Sequence, residues 1–439
     1  MAENFQRFLR RVKLHNFRAF SQETVNFGPL TLLVGPNNAG KSSILSAITI
    51  LAQTLGSFDS EVPLLLGEFG TFRDIAFHNS VKRTVGIGLT LFVGGVDESI
   101  ELFFKYRAQR REIILSDCNL YDQGYPIFQT SYSKDSEQQT IKYLRDVPDD
   151  TSRQLKTRFV NFLPRMFTVR LDIDSAPPEK KDAYKKANRM LHRTDMMCQN
   201  VSRLLSSIQY LGPFREVPLR LYPFSGERPS SLDSTGHGAT DILVADYFRR
   251  GSRKRELSNL VQGWLSQAKI SSEIEAVALG DRHYEIKFQH PISREFENLA
   301  DVGYGVSQIL PVVVGGYNSS PGSIFMVEQP EIHLHPRAQA ELGDFFLQLY
   351  EKGVQCVVET HSEHLMMRLQ RHVARGAISP DHVVVNYVNP SEYGKSVLRL
   401  PLNEDGIFTM DWPQGFFEER LQEATELAKA PLQRRGEID

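Results

Sequence analysis

Cysteine and long apolar runs are both scarce in this sequence of 439 residues. The three cysteines lie far apart, with neither the spacing of metal ligands nor the clustered pattern of a disulfide framework. No apolar run approaches the roughly 18 residues that a membrane-spanning helix needs, and the basic residues 7–13 lack the apolar core of a signal peptide. We therefore expect a cytoplasmic protein without a membrane partner.

An excess of charge of one sign is missing as well. The formal net charge of −2 gives no overall reason to bind nucleic acid or membranes, although local basic patches leave nucleic acid open as a partner. A hydrophobic content of 41% and a charged content of 24% are ordinary for a globular protein. The length allows two or three domains and a large buried core.

The most informative segment is GPNNAGKS at positions 35–42, which fits the phosphate-binding pattern G-x-x-x-x-G-K-[ST]. The apolar run 30–34 predicts a strand before it, and residues 43–55 predict a helix after it. Glycines let the backbone curl, so that its N–H groups and the positive end of the helix point at phosphate oxygens. Lys41 is expected to reach the β- and γ-phosphates of ATP, and the hydroxyl of Ser42 to ligate Mg²⁺. The predicted nucleotide-binding residues here are Gly35, Asn37, Asn38, Ala39, Gly40, Lys41, Ser42 and Ser43.

Hydrophobic periodicity outlines the first half of the chain. Alternation over residues 8–27 predicts two strands joined by a turn, and residues 84–117 predict three more strands of an antiparallel lobe. Residues 121–150 are polar and predict an exposed loop. Residues 177–209 carry apolar side chains at three- and four-residue steps, which is typical of one or two amphipathic helices.

The character of the chain changes at about residue 280. Short β-branched runs at 323–327, 354–358 and 382–388 alternate with helical stretches, which is typical of a parallel sheet buried on both faces. The predicted fold class is therefore α/β, with a P-loop ATPase core, a β-rich lobe and a helical insertion.

We predict four segments from these patterns. Residues 1–120 form the first ATPase half with the P-loop and the β lobe, and residues 121–280 form the insertion. Residues 281–400 form the second ATPase half, and residues 401–439 form a small C-terminal segment.

Residues 301–308, DVGYGVSQ, precede an apolar helical stretch. Glycines and a serine at a helix start form an anion-binding nest. The segment resembles the signature motif of ABC-type ATPases, which in that superfamily contacts the γ-phosphate bound to the opposite subunit. This makes Gly303, Gly305 and Ser307 candidate nucleotide-binding residues, and the structural alternative is an ordinary helix N-cap.

Two of the predicted strands end in residues that carry chemistry. IFMVEQPE at 324–331 is a hydrophobic strand that ends in an acid, typical of a Walker B motif, where Glu328 would orient Mg²⁺ and its water. VVETHS at 357–362 places His361 at the carboxyl end of a strand, the edge where ligands bind in open α/β sheets. A lone histidine is usually structural, but this one resembles the switch histidine of ABC-type ATPases.

Together, these motifs resemble the ABC/OLD-like AAA ATPases of bacteria. The segments that carry the resemblance are GPNNAGKS at 35–42, NFRAF at 16–20, LGPFR at 211–215, EQPEIHLHPRAQ at 328–339, ETHSEHL at 359–365 and, for one branch, DWPQGFFE at 411–418. The resemblance implies an ATP- and Mg²⁺-dependent dimer or higher homo-oligomer, in which each site combines the P-loop of one subunit with the signature of the other. It also implies bacterial anti-phage defence beside a separate effector protein, an association weaker than the fold assignment.

The sequence departs from the family pattern at Gln329. ABC-type Walker B motifs usually end in Asp-Glu, the Asp for magnesium and the Glu to polarise the attacking water, whereas this chain has Glu328 and Gln329. An amide cannot take a proton near neutral pH, although its carbonyl can orient a water. We therefore expect slow hydrolysis and a long-lived ATP-bound dimer. The expected catalytic residues are Glu328, Gln329 and His361, with Glu331 as the alternative base or merely the start of the next helix.

The roles of four other polar residues are open, with two interpretations for each. His333 and His335 could suggest metal ligands, but they flank the stretch that matches the ABC D-loop, which favours a contact across the dimer. Arg215 and Arg220 could each reach a phosphate or form a structural ion pair.

Three functions compete at this point. We expect a slow ATPase that acts as a nucleotide-locked switch or scaffold for a partner effector. The alternative is an autonomous DNA-processing or repair protein, for which the basic runs 105–111 and 180–193 could meet nucleic acid, but such runs are more often solvated faces. Against this alternative, the sequence after His361 shows no acidic cluster with the spacing of a Toprim nuclease. A transporter ATPase subunit is disfavoured by the long insertion and by the absence of Leu-Ser-Gly-Gly-Gln.

Overall fold

A computed structural model describes residues 5–411 except 134–137, 153–154, 156, 166–172, 175–176, 224–228, 252–254 and 391–394, and it also describes residue 413. The elements of the first half are β1 (Arg7–Phe17), β2 (Phe20–Asn26), β3 (Leu30–Val34), α1 (Lys41–Leu55), α2 (Phe72–Ile75), β4 (Val85–Val93), β5 (Val96–Arg107), β6 (Glu112–Asp122), β7 (Tyr125–Ser133), β8 (Gln138–Leu144), α3 (Asp149–Ser152), β9 (Arg158–Val160), β10 (Leu163–Arg165) and α4 (Lys181–Ser206).

The second half continues with β11 (Ile208–Leu211), β12 (Tyr222–Pro223), α5 (Ala239–Tyr247), α6 (Glu256–Gln267), β13 (Ile274–Leu279), β14 (His283–Gln289), β15 (Phe296–Asn298), α7 (Tyr304–Asn318), β16 (Ile324–Glu328), α8 (Pro336–Glu351), β17 (Gln355–Glu359), α9 (Glu363–Ala374), β18 (Val383–Asn389) and β19 (Ser396–Leu400).

The strand that leads into the P-loop lies inside a six-stranded sheet of order β11-β16-β17-β3-β18-β19. The first five strands run parallel, and β19 is antiparallel to β18. Every side chain of β3, β16 and β17 is buried. Successive residues enter two cores, since Leu32 packs in the cluster of α7, α8 and α9 and Leu33 packs in the cluster of α1 and the β lobe. The predicted α/β class, with a parallel sheet buried on both faces, is confirmed.

The β lobe is a seven-stranded antiparallel sheet of order β2-β1-β4-β5-β6-β7-β8. The prediction of an exposed loop over residues 121–150 is wrong, because β6 continues to Asp122 and β7 and β8 pair with each other. One face of these strands is buried, with Phe128, Ile141 and Leu144 in the core. Their outward faces are polar, and that composition led to the loop prediction.

The amphipathic segment predicted at 177–209 is the single helix α4. Its apolar stripe, which includes Leu191, Val201 and Leu205, packs in the same cluster as α1. Arg193 pairs with Glu98 at 2.9 Å and with Asp122 at 3.0 Å. At least this member of the basic run 180–193 therefore anchors the helix to the β lobe.

β9 and β10 pair with each other in a two-stranded sheet, and in a further sheet β12 and β13 flank β14, with which β15 also pairs. A bridge between Leu402 and Phe408 follows β19. Most of the DWPQGFFE segment lies outside the described residues, and the four predicted segment boundaries stay predictions. Within the described ranges, no helix combines the length and the hydropathy that crossing a bilayer would require.

Candidate functional site

The P-loop connects β3 to α1 as the sequence predicts. Gly35, Asn38 and Gly40 adopt positive φ values of 138°, 60° and 108°. A Cβ atom on Gly35 would also lie 2.5 Å from the carbonyl oxygen of Val388 on the neighbouring strand β18. Positive φ and this close approach explain why glycine occupies position 35.

Lys41 and Ser42 begin α1, directly after this turn. The ammonium group of Lys41 is buried and donates to the carbonyl oxygens of Gly35 at 3.1 Å and Pro36 at 3.0 Å. Burial lowers the pKa of Lys41, and the nearby Glu359 opposes that effect. The hydroxyl of Ser42 donates to Oε2 of Glu359 at 2.9 Å. The two residues that the pattern assigns to phosphate and metal thus face the end of β17.

A cavity of about 680 Å³, here called the P-loop cavity, opens at this point. Its size falls within the range of small-molecule sites in proteins. The residues that line it are Arg18, Asn37, Asn38, Gly40, Lys41, Ser42, Ser43, Gln329, Glu359 and Lys395. Ala39, which was also predicted to bind nucleotide, is buried in the core beneath the loop. The cavity therefore brings most of the predicted P-loop residues together with Gln329 from the second half of the chain.

Two acids end neighbouring parallel strands beside this cavity. Glu328 is the last residue of β16, Glu359 is the last residue of β17, and the two lie opposite each other in the strand register. The hydroxyl of Tyr210 donates to Oε1 of Glu328 at 2.6 Å, and the guanidinium of Arg215 donates to the backbone oxygen of Glu328 at 2.7 Å. Parallel strands present their carboxyl ends at one edge, so the fold itself places these acids together.

Glu331 and His361 are also linked at this edge. Oε1 of Glu331 accepts a hydrogen bond from the backbone N–H of His361 at 2.6 Å. Burial raises the pKa of Glu331, which that hydrogen bond partly offsets. Burial, followed by the charge of Lys41, lowers the pKa of His361 to about 4. The imidazole of His361 is therefore neutral at physiological pH.

The accumulation of buried negative charge bears on the predicted magnesium site. Burial raises the pKa of Glu359, and the charge of Glu328 raises it further, while Lys41 and the Ser42 hydroxyl oppose the shift. A divalent cation would relieve this repulsion, and hydroxyl and carboxylate oxygens are the ligands that Mg²⁺ prefers. The predicted ligands Ser42 and Glu328, together with Glu359, therefore fit a magnesium–nucleotide complex.

Gln329 has an unusual backbone. Its φ is 45°, and its N–H donates to the carbonyl oxygen of Glu359 at 2.7 Å, which ties the end of β16 to the end of β17. Gln329 is one of the residues that line the P-loop cavity. The residue that departs from the family pattern is thus positioned where a nucleotide would bind.

The signature-like residues lie away from the P-loop cavity of the same chain. Gly303 precedes α7, and a Cβ atom on Gly305 would lie 2.8 Å from the carbonyl oxygen of His333, so the helix start packs against the D-loop-like stretch. Ser307 is only 5% exposed, and its hydroxyl donates to the carbonyl oxygen of Tyr304 at 3.0 Å. In the part of the chain that the structure describes, the P-loop cavity is lined by none of Gly303, Gly305 and Ser307.

The two histidines of the D-loop-like stretch also have local roles. His333 has a positive φ of 62°, and its ring lies 6.0 Å from that of Tyr304. His335 precedes α8, where its Nδ1 accepts from the N–H of Arg337 at 3.4 Å. Among the described residues, no group of three or more His, Cys, Asp and Glu side chains could hold a metal ion.

Several residues of the site were not predicted. Tyr210, Glu359 and Arg18 lie in or beside segments that the motifs highlighted, but pattern spacing gave none of them a role. The guanidinium of Arg18 donates to Oγ of Ser46 at 3.0 Å. Lys395, whose ammonium donates to the carbonyl of Asn38, carried no sequence signal at all.

The two arginines with alternative interpretations have structural contacts. Arg215 is buried and binds the backbone of Glu328, as described above. Arg220 forms an exposed two-pronged pair with Asp301, with distances of 2.9 and 2.5 Å.

One family model matches most of the chain, and two nucleases are similar to parts of it. A sequence model of the family described as "AAA domain, putative AbiEii toxin, Type IV TA system" matches residues 30–367. The "Old nuclease" of Escherichia phage P2 is 22% identical over 375 residues, which cover 82% of this chain and 57% of that protein. The "OLD nuclease" of Thermus scotoductus is 46% identical over 43 residues, or 10% of this chain and 8% of that protein. This chain thus spans little more than half the length of the phage relative.

Among solved structures, one match is to the "SMC head domain from Thermotoga maritima". It is 13% identical, with a TM-score of 0.41, and the match covers 90% of this chain and 99% of that one.

Proposed function

The chain belongs to the family described as "AAA domain, putative AbiEii toxin, Type IV TA system", and from this premise we propose that it is a slow ATPase acting as a nucleotide-locked dimeric switch for a partner effector. The family match and the phage P2 relative confirm the resemblance to OLD-like ATPases that the motifs indicated. The chain is therefore an ATPase of the OLD type. The slow rate, the dimer and the effector are the parts that we propose.

The observation that carries the proposal is the convergence of both halves of the chain on the P-loop cavity. Lys41 and Ser42 come from α1, whereas Gln329 and Glu359 come from the ends of strands about 290 to 320 positions later. A triphosphate in this cavity would accept hydrogen bonds from the P-loop N–H groups at the N-terminus of α1. The ammonium of Lys41 donates to two P-loop carbonyl oxygens in this structure. When a triphosphate binds, the ammonium would exchange these bonds for bonds to the phosphate oxygens.

The predicted catalytic rate follows from Gln329. When bound, Mg²⁺ would neutralise phosphate charge in this cavity, held by Ser42 and the neighbouring acids. The amide of Gln329 can hold a water through its carbonyl but cannot take the water's proton. His361 is neutral and can donate or accept a hydrogen bond without adding charge. We therefore propose slow turnover and a persistent ATP-bound state.

The position of the signature-like residues supports the dimer. Since residues 303–307 do not reach the P-loop cavity of their own chain, a second copy would have to supply them to a shared site. Large apolar side chains are exposed nearby: Tyr304 is 71% and Val217 is 71% exposed, and Val217 lines a small cavity together with Ser307. We propose that these exposed side chains become covered when a second copy binds.

The proposals of a partner effector and of a role in anti-phage defence come from the proteins that this chain resembles. The family description includes a putative toxin of a type IV toxin–antitoxin system, and one relative comes from a phage. Both support a role in anti-phage defence beside a separate effector. The alternative of autonomous DNA processing is favoured by the word nuclease in the names of the relatives, and cleavage of plasmid DNA by the purified chain would support it.

Calorimetric titration of ATP tests the proposed site. Lys41→Ala removes the buried cation, so ATP affinity should fall about tenfold or more, as expected for a charge-assisted hydrogen bond. The matched control is Lys13→Ala, because Lys13 carries the same charge at an exposed position of strand β1 and pairs with Glu101 at 2.7 Å. Equal affinities in wild type and Lys41→Ala would refute the assignment of the P-loop.

A further inference from the structure

Glu359 is the acid of the second half that contacts the P-loop. Its Oε2 accepts the Ser42 hydroxyl at 2.9 Å, and its Oε1 lies 3.8 Å from the Lys41 ammonium. The side chains of Lys41 and Glu359 are each only 4% exposed. Glu328, the acid in the Walker B position, instead directs Oε1 to the hydroxyl of Tyr210. The acid that meets the predicted metal ligand is therefore not the one that the sequence pattern selects.

The order of strands explains this difference. β17 pairs directly with β3, the strand that enters the P-loop, and Glu359 lies opposite Leu33. β16 lies one strand farther from β3, which is about 4.8 Å in a sheet. The N–H of Thr360 donates to the carbonyl of Leu33 at 3.1 Å, and the N–H of Gln329 donates to that of Glu359 at 2.7 Å. Backbone hydrogen bonds on both sides thus hold Glu359 against the P-loop.

We propose that Glu359 is the carboxylate that orients the Ser42 hydroxyl toward Mg²⁺, an inference that rests on the proposed ATP site. A serine hydroxyl has one proton and two lone pairs. When it donates its proton to Glu359, its lone pairs are directed away from that acid and are available to a metal ion. The negative charge of Glu359 adds to the attraction for the cation, while the carboxylate of Glu328 accepts the Tyr210 hydroxyl and its backbone oxygen accepts Arg215.

The test measures ATP affinity by calorimetry twice, once with Mg²⁺ and once with EDTA, and takes the ratio as the magnesium gain. Glu359→Gln keeps the size of the side chain and an acceptor oxygen but removes the charge. Its magnesium gain should fall about 10- to 100-fold, as for other groups that orient a metal ligand. Its affinity in EDTA should equal or exceed that of wild type, because a negative charge near the triphosphate is gone; this also reports that the variant is folded.

Glu328→Gln is the matched control, since it makes the same change one strand away. It should lose less of the magnesium gain than Glu359→Gln does. The proposal would be overturned if Glu359→Gln kept the magnesium gain of wild type, or if Glu328→Gln lost more of the magnesium gain than Glu359→Gln. Either result would leave the proposed ATP site intact. If wild type itself fails to bind ATP, the proposed function falls as well.

A second variant covers the case in which Glu359→Gln does not bind ATP even in EDTA. Glu359→Asp keeps the charge but withdraws the carboxylate by one methylene group, away from Ser42. Its magnesium gain should also fall, and an unchanged gain in this variant would overturn the proposal.

Discussion

Gln329 stands where the Walker B motifs of ABC-type ATPases usually have a glutamate. Its N–H donates to the carbonyl oxygen of Glu359, and the residue lines the P-loop cavity, where we propose that it holds the attacking water. Its amide, however, lacks the basicity that general-base catalysis requires. In the proposed ATPase, Gln329 would therefore orient the attacking water without accepting its proton.

Restoring a carboxylate at this position should speed turnover. General-base catalysis typically contributes about 10²- to 10⁴-fold, so Gln329→Glu should hydrolyse ATP about tenfold faster or more. Steady-state phosphate release measures the effect, with Gln329→Asn as a control that keeps an amide. A variant no faster than wild type, or a wild type that already turns over rapidly, would contradict this account and make Glu331 the residue to test as the base.

The residues of the site differ in how far sequence could predict them. Lys41 and Ser42 belong to a contiguous pattern whose spacing is fixed by the phosphate it binds, so they could be predicted directly. Glu359 and Tyr210 act through contacts between strands that are distant in sequence, and only the strand order reveals them. Ser307 was predicted to contact a nucleotide of the opposite subunit, and this stays a prediction; within its own chain its hydroxyl donates to the carbonyl oxygen of Tyr304.

At the scale of elements, the parallel sheet was predictable because its strands are buried on both faces and read as short apolar runs. The strands β7 and β8 were not, because only one face of each is buried and the polar outer face dominates their composition. The order of the strands in the sheet could not be predicted either, because no local sequence pattern indicates which strand lies next to β3. That order determines which acid meets the P-loop.

Packing of α7 onto α8 can be tested with two glycines. A Cβ atom on Gly316 in α7 would crowd Phe345 and lie 2.9 Å from Cδ1 of Leu349. Phe345 is fully buried among other aromatic rings, so Gly316→Ala should lower the free energy of unfolding by about 1–3 kcal/mol.

Gly263 in α6 is the matched control, since no atom lies within 4 Å of its added Cβ among the described residues. Gly263→Ala should raise the free energy of unfolding by up to about 1 kcal/mol, because alanine favours a helix. Chemical denaturation of both variants checks this prediction. Equal stabilities would show that α7 and α8 are packed less closely than described.

At the scale of the whole molecule, the account predicts a site that one chain cannot complete. The P-loop cavity and the start of α7 hold the proposed nucleotide-binding residues at separate places, and Tyr304 at the start of α7 is exposed. A second copy bound through ATP would join them. Ser307 is too buried for a clean interface variant, whereas an added Cβ on Gly303 meets no described atom within 4 Å.

Light scattering with and without ATP is the most direct test of this central claim. With ATP, the wild-type mass should rise from that of one 50.0 kDa chain to at least twice that value. Gly303→Glu should fold and bind ATP normally but remain at the mass of one chain, because its carboxylate would repel the triphosphate held by the other copy. A wild type that stays at 50.0 kDa in saturating ATP, or a Gly303→Glu variant that associates as wild type does, would contradict the account.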